Sequence, residues 1–287
     1  MGACVICPVD GGLSACAPQS PSAAATGARN QVVLVIDRAT RSRVLAMEGP
    51  PKQKKIADRI NEELRDLRIV SIKRLGLVEW PEQCLVNSTE TLKTLRITSN
   101  LIRDLPPFLG EFKILQTLDL SSNEISVVDL DFSLFPASLQ SLSLRHNQLK
   151  GQITGLEHLV SLVELDISEN KDINRIDHVD WTRLISLEEL NMDNLSLTSL
   201  PSNLGSLPRL QVLSAKSNAL KPTDASIPQI LLQNARSLHT LYLDGNDGIT
   251  EAVFMKLPGA ESYMRRRKAR LDKQIAGGTY SPDLAVI

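Results

Sequence analysis

One apolar frame, returned seven times, constrains this chain more than any other feature. Leu92, Leu95, Ile97, Asn100 and Ile102 set the frame. Leu115, Leu118, Leu120, Asn123 and Ile125 repeat it, as do Leu139, Leu142, Leu144, Asn147 and Leu149. Leu162, Leu165, Ile167 and Asn170 follow, then Leu187, Leu190 and Met192, where Leu195 stands in the place of Asn. Leu210, Leu213, Ala215, Asn218 and Leu220 come next, and Leu238, Leu241, Leu243 and Asn246 close the series. The starts lie 23, 24, 23, 25, 23 and 28 residues apart. A period in this range marks a chain of stacked supersecondary units.

Each position has a physical reason. Leu118 and Leu120 alternate at the period of a strand, so both point to one face. The Asn that follows carries donors and an acceptor able to satisfy backbone groups of adjacent turns that would otherwise be buried unpaired. No unit can bury its aliphatic residues alone, so neighbours stack into a quasi-one-dimensional array. The expected fold is an α/β solenoid over 92–250, a horseshoe with a parallel sheet on its concave side and helical caps at its N- and C-terminal ends.

The flanks fit that expectation. Ile56, Ile60, Leu64 and Leu67 recur at helical spacing behind Pro50 and Pro51, which predicts an amphipathic cap helix. A partial repeat over 69–81 completes the N-terminal cap region, 51–91. In 251–287, the segments 251–257 and 260–275 read as two helical pieces broken at Pro258 and Gly259, with a disordered tail from Ala276. Residues 1–50 read as a flexible tail, rich in Ala, Ser, Pro and Gly over its first thirty residues. Within it, 31–47 holds two β-branched runs that suit a small hairpin.

Together these features resemble the leucine-rich repeat superfamily along most of the chain. Three flanking segments are similar to the leucine-rich repeat-containing protein 57 family: the start Met1-Gly2, the stretch Val70-Ser71-Ile72-Lys73-Arg74-Leu75-Gly76-Leu77-Val78-Glu79-Trp80-Pro81, and Leu257-Pro258-Gly259-Ala260-Glu261-Ser262-Tyr263-Met264. Residues 3–68 and the long unit from Leu210 to Leu238 depart from that pattern. The resemblance implies a binding scaffold with no catalytic residues.

Composition narrows the function classes. A formal net charge of −1 argues against a whole-surface attraction to nucleic acid or membrane, so any electrostatic partner must meet a local patch. Aromatic residues make up only 3%, which leaves little for base stacking. Cys4, Cys7, Cys16 and Cys84 are a poor disulfide framework, and Cys4-x-x-Cys7 lacks a second pair at zinc spacing. No metal or cofactor is expected. His146, His158, His178 and His239 show no metalloenzyme spacing, and Gly11-Gly12 and Gly277-Gly278 lack the context of a phosphate loop. The chain is not expected to be an enzyme, since carboxylates on an open, wet face stay ionised and unperturbed.

Candidate sites fall in three groups. Gly2, Cys4 and Cys7 are candidates for lipidation, a myristoyl chain with nearby palmitoyl groups, although Ile6 stands where the myristoylation pattern has Ser or Thr. The basic run Arg265, Arg266, Arg267, Lys268, Arg270 and Lys273 suits anionic lipid, calmodulin or nucleic acid, against a prior that favours the solvated outer face of a cap helix. Alternation along the strands turns Arg96, Asp119, Arg145, Glu164, Asp166, Glu189, Asn191, Asp193, Lys216 and Tyr242 out of the concave face. Its acidic middle, Asp119, Glu164, Asp166, Glu189 and Asp193, predicts a protein partner with a basic segment. The expected role is a monomeric adaptor in the cytoplasm, peripheral on a membrane if acylated, with nucleic acid not expected. The alternative is a regulatory subunit of a phosphatase or ubiquitin ligase complex, by analogy of fold alone.

Overall fold

The computed structural model describes residues 4–9, 12–15, 31–37, 42–48 and 67–277, and the chain divides into two compact units, Met1–Ile125 and Ser126–Ile287. In the first unit, three repeats place β5 (Leu67–Lys73), β6 (Thr94–Thr98) and β7 (Thr117–Asp119) side by side in parallel. Their registers align frame on frame: Val70 faces Leu95 and Leu95 faces Leu118, all fully buried. The short helix α1 (Glu82–Val86) returns the chain between β5 and β6.

The cap helix expected over Ile56 to Leu67 lies largely outside the described residues, but its last position needs correction. Leu67 opens β5 rather than closing a helix. The reason lies in its double periodicity. Leu67 continues the helical spacing of Ile56, Ile60 and Leu64, yet Leu67, Val70, Ile72, Leu75 and Leu77 also fit the repeat frame, and all five are buried. The repeat wins because a strand there extends the parallel ladder, with the Leu67 amide donating to Ser88 Oγ at 3.1 Å. A further full frame therefore precedes the seven, with Leu75 in its Asn position.

Upstream, β4 (Ser42–Glu48) pairs in parallel with β5, and β3 (Gln31–Asp37) pairs with it antiparallel, where the hairpin is expected. β1 (Cys4–Val9) pairs antiparallel with both β3 and β2 (Gly12–Ala15). These two strands fall in the segment that composition reads as flexible tail. The run Cys4-Val5-Ile6-Cys7 is locally apolar and β-branched, a preference that averaging over an Ala- and Ser-rich stretch hides.

In the second unit, β9 (Ser141–Ser143), β11 (Glu164–Asp166), β13 (Glu189–Asn191), β14 (Val212–Ser214) and β15 (Thr240–Tyr242) form a parallel sheet in frame register. Leu142, Leu165, Leu190, Leu213 and Leu241 line up across it and are at most 2% exposed. Burying each such side chain is worth roughly 1.5–3 kcal/mol, which is why the frame is so regular. A second, three-stranded parallel sheet orders β8 (Val128–Asp131), β10 (Lys150–Thr154) and β12 (Asp172–Arg175). The remaining returns are 3-10 turns over Phe132–Leu134, Leu156–His158, Trp181–Arg183 and Ser202–Ser206, or the helix α2 (Gln229–Asn234) in the longest repeat.

Most face strands end in the same way. The Asn170 amide group donates to the Leu144, Ile167 and Ser168 carbonyls at 3.0, 2.8 and 3.2 Å, and its Oδ1 accepts the Leu149 N–H at 3.2 Å. Asn246 repeats the pattern on Ala215, Leu243, Asn218 and Leu220. In the first unit, Asn100 holds Leu75, Leu77, Ile72 and Thr98 in the same way. The residue before each Asn takes a left-handed backbone, as at Ser99, Ser122, His146, Glu169 and Ser217 with φ of 54, 56, 55, 60 and 51°. Only at Gly245, φ 74°, does glycine relieve the strain this imposes on a side chain. Leu195 breaks the row, and its neighbours compensate. Asn194 Nδ2 donates to the Glu169 carboxylate at 2.6 Å and Ser196 Oγ to the Lys171 carbonyl at 2.8 Å, while Leu195 itself is fully buried.

The chain closes with α3 (Glu251–Phe254) and α4 (Ala260–Ala276), separated at Pro258 and Gly259. Tyr263 is fully buried, edge-on to Phe254 at 5.9 Å between ring centroids. Arg266 corrects the reading of the basic run as a solvated face. Its guanidinium is half-buried and donates to the Leu232, Gln233 and Leu238 carbonyls at 2.6, 3.2 and 3.4 Å, capping acceptors that α2 leaves open at its C-terminal end.

Candidate partner-binding face

The candidate side chains lie at the starts of the face strands (Glu164, Glu189), at or just past their ends (Asp119, Arg145, Asp166, Asn191, Asp193, Lys216, Tyr242) or, for Arg96, within β6, and the structure separates them by role. Last positions are engaged inside the chain. Asp166 Oδ1 accepts the Ser168 N–H at 3.0 Å and the Ser168 hydroxyl at 2.6 Å, and Asn191 Oδ1 accepts the Asp193 N–H at 3.1 Å. Asp193 in turn accepts the Ser214 hydroxyl at 2.6 Å and the Lys216 N–H at 2.7 Å. Asp119, in the first unit, accepts the Ser121 N–H at 3.0 Å, and its Cα partner on β6 is the exposed Arg96. These carboxylates close turns, so Asp119, Asp166 and Asp193 are not free members of an acidic band. A signal for this is present in the sequence, where Asp119-Leu120-Ser121 and Asp166-Ile167-Ser168 share a spacing that suits a side-chain bond to the N–H two residues on.

First positions are different. Glu164 and Glu189 are direct partners across β11 and β13, both exposed. Glu164 Oε2 accepts only a hydroxyl, from Ser141 at 3.0 Å. Partial desolvation, then the Glu164 and Glu188 charges beside it, push the Glu189 carboxyl above its ordinary range. That corrects the expectation that carboxylates on this face are all unperturbed: facing strands sit ~4.8 Å apart, close enough for like charges to be felt.

Further along the second unit, Lys216 Nζ lies 3.3 Å from Asp244 and 4.3 Å from the centre of the Tyr242 ring, which joins two candidates in one cation–aromatic contact. Arg145 is exposed just beyond β9. Gly2 lies outside the described residues, and Cys4 and Cys7 fall within β1. Among the described residues no group of three His, Cys, Asp or Glu side chains could hold a metal ion, and no helix is long and apolar enough to cross a membrane.

Residues 90–149 match the family model described as leucine rich repeat. A probable serine/threonine-protein kinase of Dictyostelium discoideum, pats1, is 32% identical over 45% of this chain and 4% of its own length. Receptor-like protein 35 of Arabidopsis thaliana is 26% identical over 66% of this chain and 20% of its own, and mouse vasorin 39% over 31% and 14%. The chain spans at most a fifth of the length of these relatives, so the matches bear on the repeats and on nothing else those proteins do. A solved structure of internalin C2 from Listeria monocytogenes is 22% identical over 62% of this chain and 72% of its own, with a TM-score of 0.48. The matched residues hold three of the recurring frames, and the same frame and parallel ladder continue through the second unit.

Proposed function

We propose that the chain is a non-catalytic protein-binding adaptor that takes a basic segment of its partner on the strand face of the second unit. One observation carries this reading: Glu164 and Glu189 stand directly opposite each other, exposed, and among the described residues neither forms an ion pair. Like charges facing across a strand pair cost stability, and a Lys or Arg from a partner relieves that cost while accelerating encounter. Tyr242 and Lys216 offer the same partner an aromatic surface and a polar edge. The resemblance to the leucine-rich repeat-containing protein 57 family points to the same class of scaffold.

Affinity purification with wild type and with Glu164→Lys/Glu189→Lys, read by mass spectrometry, tests the proposal. Partners that disappear from the variant, while its melting temperature stays unchanged, support it. An identical set of partners from both would overturn it. Acylation at Gly2, Cys4 or Cys7 would bring this face to a cytoplasmic membrane surface, which fractionation of wild type against Gly2→Ala reads directly. Sedimentation of wild type with membranes and release of the variant is the expected result; two fully soluble proteins would remove the anchor.

A further inference from the structure

The basic run of α4 does not end its work with Arg266. Arg270 and Lys273 on that helix line an open trough of ≈ 550 Å³ together with Arg209, Arg236 and His239, which precede or open β14 and β15. Arg209, Arg236, Arg270 and Lys273 are exposed and make no ion pair among the described residues. The one carboxylate in the wall, Glu188, accepts from the Gln211 amide at 3.0 Å. Five cations, counting the capping Arg266, thus converge on one recess with a single acid against them. The His239 ring adds a further feature of the wall. Its Nδ1 lies 2.9 Å from Thr240 Oγ1, while Nε2 is buried without a hydrogen-bond partner. Burial and then the nearby Arg270 charge lower the pKa of its imidazole.

The geometry points to this trough as a second docking site, at the N-terminal edge of the last face strands, for an acidic peptide segment of a protein partner. Guanidinium forks suit carboxylates held in two-point contacts, and three Arg on three separate elements can grip successive side chains of an extended peptide. A membrane fits less well, since the cations line a recess and the wall holds no large apolar side chain to insert. Nucleic acid also fits less well, since apart from His239 no ring is present for bases to stack on. This site is separate from the Glu164 and Glu189 face and takes the opposite charge, so either can fail alone.

Fluorescence anisotropy with a dye-labelled hexaglutamate peptide, flanked by Gly and Ser, tests it on the full chain. Saturable binding is expected, at least tenfold weaker for Arg236→Glu/Arg270→Glu and unchanged within twofold for Lys171→Glu/Arg183→Glu, a reversal of equal charge on exposed residues away from the trough. Equal melting temperatures for the variants keep the comparison about binding. No saturable binding by wild type, equal losses in both reversals, or tighter binding to phosphatidylserine vesicles or a single-stranded oligonucleotide than to the peptide would each overturn the assignment.

Discussion

The two edges of the second unit's strand face both carry carboxylates and use them in opposite ways. At the C-terminal edge, Asp166, Asn191 and Asp193 accept backbone and hydroxyl hydrogens, the Asn residues knit repeat to repeat, and the backbone is forced left-handed once per unit. At the N-terminal edge, Glu164, Glu189, Arg209 and Arg236 reach solvent with few contacts inside the chain. A carboxylate that satisfies an N–H is part of the fold, because removing it strands a polar group. A carboxylate facing another carboxylate adds nothing to the fold, so its value lies in what it meets. The lesson is that position along a three-residue strand, rather than charge, separates architecture from recognition here.

The largest expected effect lies in the Asn row. Asn170→Ala takes from the Leu149 N–H its acceptor and from the Ile167 carbonyl its donor, in a fully buried position. A loss of about 3–5 kcal/mol follows, on the order of 10 °C in melting temperature. A smaller loss, about 1–2 kcal/mol, is expected for Gly245→Ala, whose φ of 74° strains a side chain and whose new Cβ would lie 2.8 Å from Ser217 Oγ. Calorimetry would show both, and a neutral outcome in either would mean the C-terminal edge is less constrained than its bonds indicate.

The smallest effect belongs to the other edge and depends on pH. The Glu189 carboxyl titrates above its ordinary value in the folded chain, so its favourable contribution is present below the unfolded value near 4.5 and is lost as pH rises through the folded one. Glu189→Gln should therefore gain on wild type in melting temperature between pH 4 and pH 7. A difference that stays flat across that range would mean the neighbouring Glu164 and Glu188 charges are not felt.

Much of the fold was legible because the frame is a packing rule. Leu142, Leu165 and Leu190 are buried where period and alternation put them, and the break at Pro258 and Gly259 ends one helix and begins the next. The second sheet was not legible. Lys150-Gly151-Gln152-Ile153-Thr154 has one buried aliphatic residue among polar ones, so its strand is fixed by neighbours in space rather than by pattern. Leu67 was misread because it satisfies two periodicities at once, and only the adjacent strand decides between them. At the site, alternation could not say which of the candidate residues were already engaged inside the chain. The basic trough was hidden for a related reason. Its wall joins α4 to residues 27 and more positions upstream, while the sequence shows only the run on the helix.

The division of the face is tested most directly by melting two double variants side by side at pH 7. Asp166→Ala/Asp193→Ala removes four internal hydrogen bonds and should melt several degrees below wild type, whereas Glu164→Gln/Glu189→Gln removes a like-charge pair and should melt at or above it. An aspartate variant as stable as wild type, or a glutamate variant destabilised as much as the aspartate one, would contradict the account.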